Sequence, residues 1–185
     1  MPKIIKDIEE KILISAMEAF GEYGYAKSDM KKIAAGAGIA VGTLYNYFPN
    51  KKELFKKVFS KSWEMTFEKL DEICRGSGSS IEKIERFITA VYDDVTSRKG
   101  LGKELIRADV LPMDFRKDIR SAIFSRLDSL FEGYLKESGI DIETSKRWRL
   151  SDSLISTLMC MHRAYPGERD DNIEFVFEMV KRYLG

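Results

Sequence analysis

Histidine occurs once in this 185-residue chain, cysteine twice and proline four times. These scarcities remove several kinds of chemistry. Cys160 and the lone His162 are two apart on an expected helix, which is poor geometry for sharing a metal ion, and no further Cys/His cluster lies nearby. No metal and no cofactor is expected. One histidine, no nucleophile–base constellation and no phosphate loop leave little for an enzyme. Gly36-x-Gly38-x-x-x-Gly42 has no strand before it, and its spacing differs from the dinucleotide fingerprint. Cys74 and Cys160 are far apart and form no disulfide framework, which points to a reducing compartment. No segment reaches the roughly 18 uninterrupted apolar residues of a membrane span. The first residues, MPKIIKDIEE, turn acidic too early for a secretory signal. A cytoplasmic protein with no membrane partner is expected. Net charge is close to absent too, at +1, so global charge names no partner.

Apolar residues make up 44% of the chain, enough for a sizeable core. Their spacing is helical almost throughout, and no alternating Val/Ile/Thr run argues for a strand. Ile8, Ile12, Ala16, Ala19, Phe20 and Tyr23 form one stripe, which Gly24 ends. Ser28 offers an N-cap to a short helix over 29–36. After a turn at Gly38, a third helix runs from Val41 to Phe48, and Pro49 stops it. Asn50 and Glu53 make a capping-box-like start for a helix reaching to about Cys74. Gly76-Ser77-Gly78-Ser79-Ser80 is the clearest break. Ser79 and Glu82 would cap a fifth helix, a sixth segment runs to about Val110, and three more cover 115–137, 143–165 and 171–184. The fold class is therefore all-α with about nine helices, expected as an N-terminal three-helix part over 6–66 and a helical domain over 67–185.

Charge is unevenly placed. Between Gly24 and Trp63 stand eight lysines against two acids, Asp29 and Glu53, so the remainder is net acidic. An anion-facing N-terminal region on a neutral body fits this pattern, although a lysine-rich stretch is also what a solvated helix face looks like. Within it lies MKKIAAGAGIAVGTLYNYF, residues 30–48. For a second short helix to enter a major groove, it must cross the first closely. Ala34 is small where they would touch, and Gly38 tolerates the positive φ of a sharp turn. Ile33, Ile39, Leu44 and Tyr47 or Phe48 would form a shared miniature core. Val41, Gly42, Thr43 and Asn46 would stay outward.

Gly42-Thr43-Leu44-Tyr45-Asn46-Tyr47-Phe48, followed by Asn50-Lys51-Lys52-Glu53-Leu54, resembles the signature of tetracycline-repressor-type (TetR family) regulators. The segment Ile33-Ala34-Ala35-x-Ala37-Gly38-Ile39 and the pattern Ala16-x-x-x-Phe20-x-x-x-Gly24-Tyr25 are similar to that family as well. The resemblance covers about residues 6–66. It implies a cytoplasmic, bacterial, dimeric repressor that binds operator DNA and is released by a small hydrophobic ligand. The rival is a DNA binder of the same type without a small-molecule effector, acting as an activator or through a protein partner. The implied DNA-binding residues are Lys27, Ser28, Val41, Gly42, Thr43, Tyr45, Asn46, Tyr47 and Lys51. Ser28 and Lys51 would touch phosphates, Thr43, Tyr45 and Tyr47 phosphates or bases, and Val41, Gly42 and Asn46 would face base edges. Asn46 departs from the aromatic residue frequent there. Val41 and Gly42 offer few hydrogen bonds, so phosphates and DNA shape would carry much of the affinity.

In the C-terminal part, Phe87, Tyr92, Ile106, Phe124, Leu127, Leu158, Met159 and His162 would line an interior, or simply fill it. The expected ligand-binding set is Tyr92, Arg107, Phe124, Leu127, Met159 and His162, although an arginine such as Arg107 is more often a surface residue. The last two helices are apolar around much of their circumference and so need a partner. The resemblance implies that they meet their copies in a two-fold four-helix bundle. Leu154, Ile155, Met159, Phe175, Val176 and Met179 are the expected interface residues of that homodimer.

Overall fold

A computed structural model describes residues 2–97 and 113–185. Eight helices account for nearly all of them: α1 (Pro2–Lys27), α2 (Met30–Gly36), α3 (Val41–Tyr47), α4 (Lys51–Arg75), α5 (Ser80–Ser97), α6 (Met113–Ser138), α7 (Thr144–Ala164) and α8 (Arg169–Leu184). The chain is all-α, and no strand occurs among the described residues. The segment expected to end near Val110 lies outside them. No described helix is long and apolar enough to cross a membrane. The chain divides into two compact units, with the change falling between Met65 and Thr66 within α4.

In the first unit, Ile12, Ala16 and Phe20 of α1 lie four apart and are fully buried. They are the centre of the helical stripe read from the sequence; Tyr23, expected at its end, is exposed. Ile33, Leu44, Leu54, Phe55, Val58 and Phe59 of the same unit are fully buried as well. Phe55 is the hub of the aromatic packing, with Phe20 and Tyr25 each 5.0 Å away edge-on and Phe59 at 5.8 Å. A buried side chain of this size contributes roughly 2 kcal/mol. The backbone of α1 leaves helical geometry at Gly24 (φ 75°, ψ 166°), so the chain bends there before Lys27.

α1 comes close to α2 at Ser15 and Gly36. Ser15 Oγ donates to the Ile33 carbonyl at 2.9 Å. A Cβ on Gly36 would lie 2.4 Å from that same hydroxyl oxygen. One capping assignment is corrected. Asp29, not Ser28, is the N-cap of α2: its backbone is extended and its carboxylate accepts from the Lys31 amide at 2.9 Å. Ser28 is buried one residue earlier and donates to the carbonyls of Gly24 (2.7 Å) and Ala19 (3.0 Å). Both residues can cap, and the kink at Gly24 turns the serine inward.

The second unit is built from the distal part of α4 with α5 to α8. Arg126 of α6 makes a two-pronged pair with Asp71 of α4 (2.7 and 2.9 Å) and lies over the Phe67 ring. α7 packs on α8. Arg147 of α7 is buried and fully engaged by Asp128, Glu132, Thr144 and the Ile142 carbonyl. Seven residues before Leu154, it lies on the core stripe of α7, which is why its charge is matched from inside. The two tryptophans differ in setting: Trp63 of α4 is 3% exposed, Trp148 of α7 45%. Trp148 meets Phe124 edge-on at 6.0 Å.

Candidate nucleic-acid interface

A short helix with one buried residue presents most of its surface outward, and α3 is such a helix. Leu44 is fully buried, and Phe48 four residues on is nearly so. Those two anchor one side. At 100° per residue the opposite side belongs to Gly42 and Asn46, with Tyr45 on one flank and Thr43 on the other. Val41, Gly42, Tyr45 and Asn46 are exposed, and Thr43 and Tyr47 are half-buried. Ala40 caps α3 with its backbone only, accepting from the Thr43 amide at 2.9 Å and the Leu44 amide at 3.2 Å.

The turn into α3 depends on Gly38 at φ 69°, a conformation that a side chain would strain. There the Ile39 amide donates to Ala34 and the Gly38 amide to Ala35, which closes the end of α2. Gly42 is different. Its φ is ordinary, and a Cβ there would have nothing within 4 Å.

The lysines divide by setting. Lys27, Lys31, Lys32, Lys52 and Lys57 are exposed. Lys32 lies 5.7 Å from the centre of the exposed Tyr23 ring. Lys56 and Lys61 pair with acids one turn away, Glu53 at 2.8 Å and Glu64 at 3.4 Å. Lys51 turns inward, donating to Ser28 and Ala26 carbonyls at 3.0 and 3.3 Å. Of the nine residues expected at DNA, Lys27, Val41, Gly42, Tyr45 and Asn46 are exposed and Thr43 and Tyr47 half-buried, while the Ser28 hydroxyl and the Lys51 ammonium donate to backbone carbonyls.

The residues expected around a ligand are placed in the second unit. Tyr92, Phe124 and Leu127 are buried, and Met159 and His162 half-buried. The His162 ring lies edge-on to Tyr92 at 5.7 Å. Arg107 and Ile106 lie outside the described residues. Sequence reasoning missed Asn172 of α8. It is buried and donates through Nδ2 to Tyr92 Oη and to the Tyr165 carbonyl, each at 3.0 Å. Its signal was its position: four residues before Val176 and eight before Val180, on the core stripe. Beside it Arg169 forks onto Asp93 at 2.7 and 2.8 Å. Open clefts of this unit run along other residues, one beside Glu132, Ile140 and Arg147, another beside Glu85, Thr89 and Phe177.

Two expected interface residues need correction. Leu154 and Val176 are fully buried within this one chain, so they have no surface to offer a partner. Their neighbours one position on, or one back, lie about 100° round the helix. Phe175 is 57% exposed, and Ile155, Met159 and Met179 are half-buried.

Comparison with known proteins bears on this geometry. Residues 12–58 match the family model described as bacterial regulatory proteins, tetR family. The chain is 26% identical over 125 residues to the fatty acid metabolism regulator protein of Bacillus subtilis, covering 68% of this chain and 61% of that protein. It is 31% identical over 87 residues to YhgD, a helix-turn-helix transcriptional regulator of the same organism, covering 47% of this chain and 46% of that one. The chain thus spans about half the length of these relatives. In fold it is similar to the crystal structure of the B. subtilis regulator FadR in complex with stearoyl-CoA, with a TM-score of 0.75 at 21% identity, over 92% of this chain and 96% of that one.

Proposed function

We propose that the chain, whose residues 12–58 match the family model described as bacterial regulatory proteins, tetR family, is a DNA-binding transcription regulator that reads its operator with α3. The observation that carries this reading is the split character of α3. Leu44 is sunk in the core while Gly42, Tyr45 and Asn46 stand in solvent on the far side. In this reading Thr43, Tyr45, Tyr47 and Lys27 meet phosphates, and Val41, Gly42 and Asn46 approach base edges. Asn46 is the one side chain of that group able to pair with an adenine through two hydrogen bonds. A labelled-duplex titration across a salt series tests it: affinity should fall steeply with salt, as counterions released by phosphate contacts require.

The operator is read by a homodimer. One head contacts few base pairs, and non-specific DNA competes with it everywhere. Ile155 and Met159 of α7 with Phe175 and Met179 of α8 supply an apolar strip for a second copy. The effector is a fatty acyl-CoA thioester that releases the dimer from DNA. Support comes from the FadR structure with stearoyl-CoA and from the fatty acid metabolism regulator among the relatives. Thermal melting with and without stearoyl-CoA, followed by addition of stearoyl-CoA to the protein–duplex complex, tests this part separately.

A further inference from the structure

We infer that the Tyr92 hydroxyl is a hydrogen-bond donor to a carbonyl or carboxylate oxygen of the effector, and that Asn172 is the positioning residue that aims it. The inference rests on the effector reading above and names the group on the ligand that the chain recognises.

The direction of one hydrogen bond carries the argument. Asn172 of α8 is 3% exposed, and the same terminal atom of its side chain lies 3.0 Å from the Tyr165 carbonyl oxygen and 3.0 Å from Tyr92 Oη. A carbonyl oxygen only accepts, so the atom facing it is the amide nitrogen, Nδ2, and not the amide oxygen. An amide nitrogen only donates. Its two hydrogens are therefore both engaged, one by Tyr165 and one by Tyr92. Tyr92 Oη is the acceptor in this pair, and its own hydrogen has to point elsewhere. Among the described residues none receives that hydrogen.

Tyr92 is itself 3% exposed. A buried donor with no acceptor carries its desolvation penalty in full, and an acceptor on a bound molecule removes it. The pair is also held in place. Arg169, three residues before Asn172, forks onto Asp93, the neighbour of Tyr92, at 2.7 and 2.8 Å. One turn of α8 thus pins two consecutive residues of α5, which keeps the phenol against Asn172. A hydroxyl fixed in this sense offers a hydrogen and not a lone pair. It suits a thioester carbonyl or a fatty acid carboxylate, and a chain without such an oxygen leaves it unmatched.

The test uses the full chain with Tyr92→Phe, which removes the hydroxyl alone, and Asn172→Leu, which keeps the volume and removes the amide. Dissociation constants are measured for stearoyl-CoA, for its thioether S-octadecyl-CoA, which lacks the carbonyl, and for octadecanoate. Wild type should prefer stearoyl-CoA to the thioether about tenfold, as one buried hydrogen bond predicts. Tyr92→Phe should abolish that preference and weaken octadecanoate about tenfold, with affinity for the thioether unchanged. Asn172→Leu should lose most of the preference although the hydroxyl remains, because nothing then fixes where it points. An asparagine that only supports the fold would weaken thioester and thioether alike. A preference that survives Tyr92→Phe overturns the inference and leaves the acyl-CoA reading intact. Octadecanoate bound through Tyr92 while stearoyl-CoA is not bound overturns the acyl-CoA reading alone. Binding of none of the three probes overturns both.

Discussion

Glu137, in the last turn of α6, caps the first turn of α5 through Ser80. Its carboxylate accepts from the Ser80 hydroxyl at 2.7 Å and from the Ser80 amide at 3.2 and 3.3 Å. One turn earlier on α6, a Cβ on Gly133 would lie 2.5 Å from the Ser80 hydroxyl oxygen. The buried Ser80 thus meets α6 at both Glu137 and Gly133. Gly133→Ala should therefore cost about 1–3 kcal/mol by overpacking. Glu137→Ala should cost about 1 kcal/mol as a lost cap. Urea unfolding at neutral pH measures both, and because the two share Ser80 their effects should not add.

Gly42→Ala should do two opposite things. The folded chain has open space for the methyl group at an ordinary φ, and alanine is better than glycine in a helix by up to about 1 kcal/mol. The variant should melt higher, or at least no lower, than the wild type. Its duplex affinity should fall, since the proposed reading brings DNA against this position. A variant that gains stability and binds DNA unchanged would show that nothing approaches Gly42.

Arg147→Ala should be among the most damaging single changes in the second unit. It removes the partner of Asp128 and Glu132 and empties a buried site. Breaking a buried ion pair from one side costs about 3–5 kcal/mol, and partial solvent access to Glu132 places the expectation at the lower end. Denaturant unfolding followed by circular dichroism checks it.

Acid should loosen the second unit in a defined window. Arg126 beside Asp71 and Arg169 beside Asp93 hold both carboxyl groups below their usual range. A lowered folded value means stability that is complete above the unfolded value, about pH 4, and lost as pH falls through the folded one. The stability profile should thus be flat above about pH 5 from these groups and fall below about pH 4. The double variant Asp71→Asn with Asp93→Asn should be less stable at pH 7 and show a shallower acid decline. Both pairs are partly exposed, so salt should shrink the difference.

The dimer can be tested without touching the protomer's core. Val176→Glu would place a charge among fully buried neighbours, and unfolding would hide any effect on association. Ile155→Glu with Phe175→Glu changes residues with outward surface. Sedimentation should give a monomer of wild-type helical content. If wild type is monomeric at micromolar concentration, the dimeric reading of the operator fails.

The N-terminal helices were legible because every feature that shapes them is local. Periodicity set the α1 stripe, Gly38 the turn, and Leu44 with Phe48 the buried side of α3. The contacts that tune them were not legible. Ser15 under Gly36 and Lys51 on Ser28 join residues about twenty apart, and no spacing rule announces either. Ser28 and Asp29 are adjacent residues that both cap helices well, so only the bend at Gly24 separates their roles. In α7 and α8 the apolar pattern is wider than one face. Leu154 and Ile155 look alike in sequence, and the 100° between them decides which one is core. Asn172 and Arg147 were readable in principle, as polar residues lying on core stripes.

The contrast between the two tryptophans makes the chain its own optical reporter. Trp63 is shielded in α4, and Trp148 stands in solvent on α7, two turns before Ile155 and on the same side. Their emission should separate into a blue component from the shielded indole and a red one from the hydrated indole. Iodide, which stays in water, should quench only the red part. When a second copy covers the Ile155 side of α7, that quenching should fade with rising protein concentration while the blue emission holds constant. Association is then visible without any attached dye, through a residue that no part of the reading head contains.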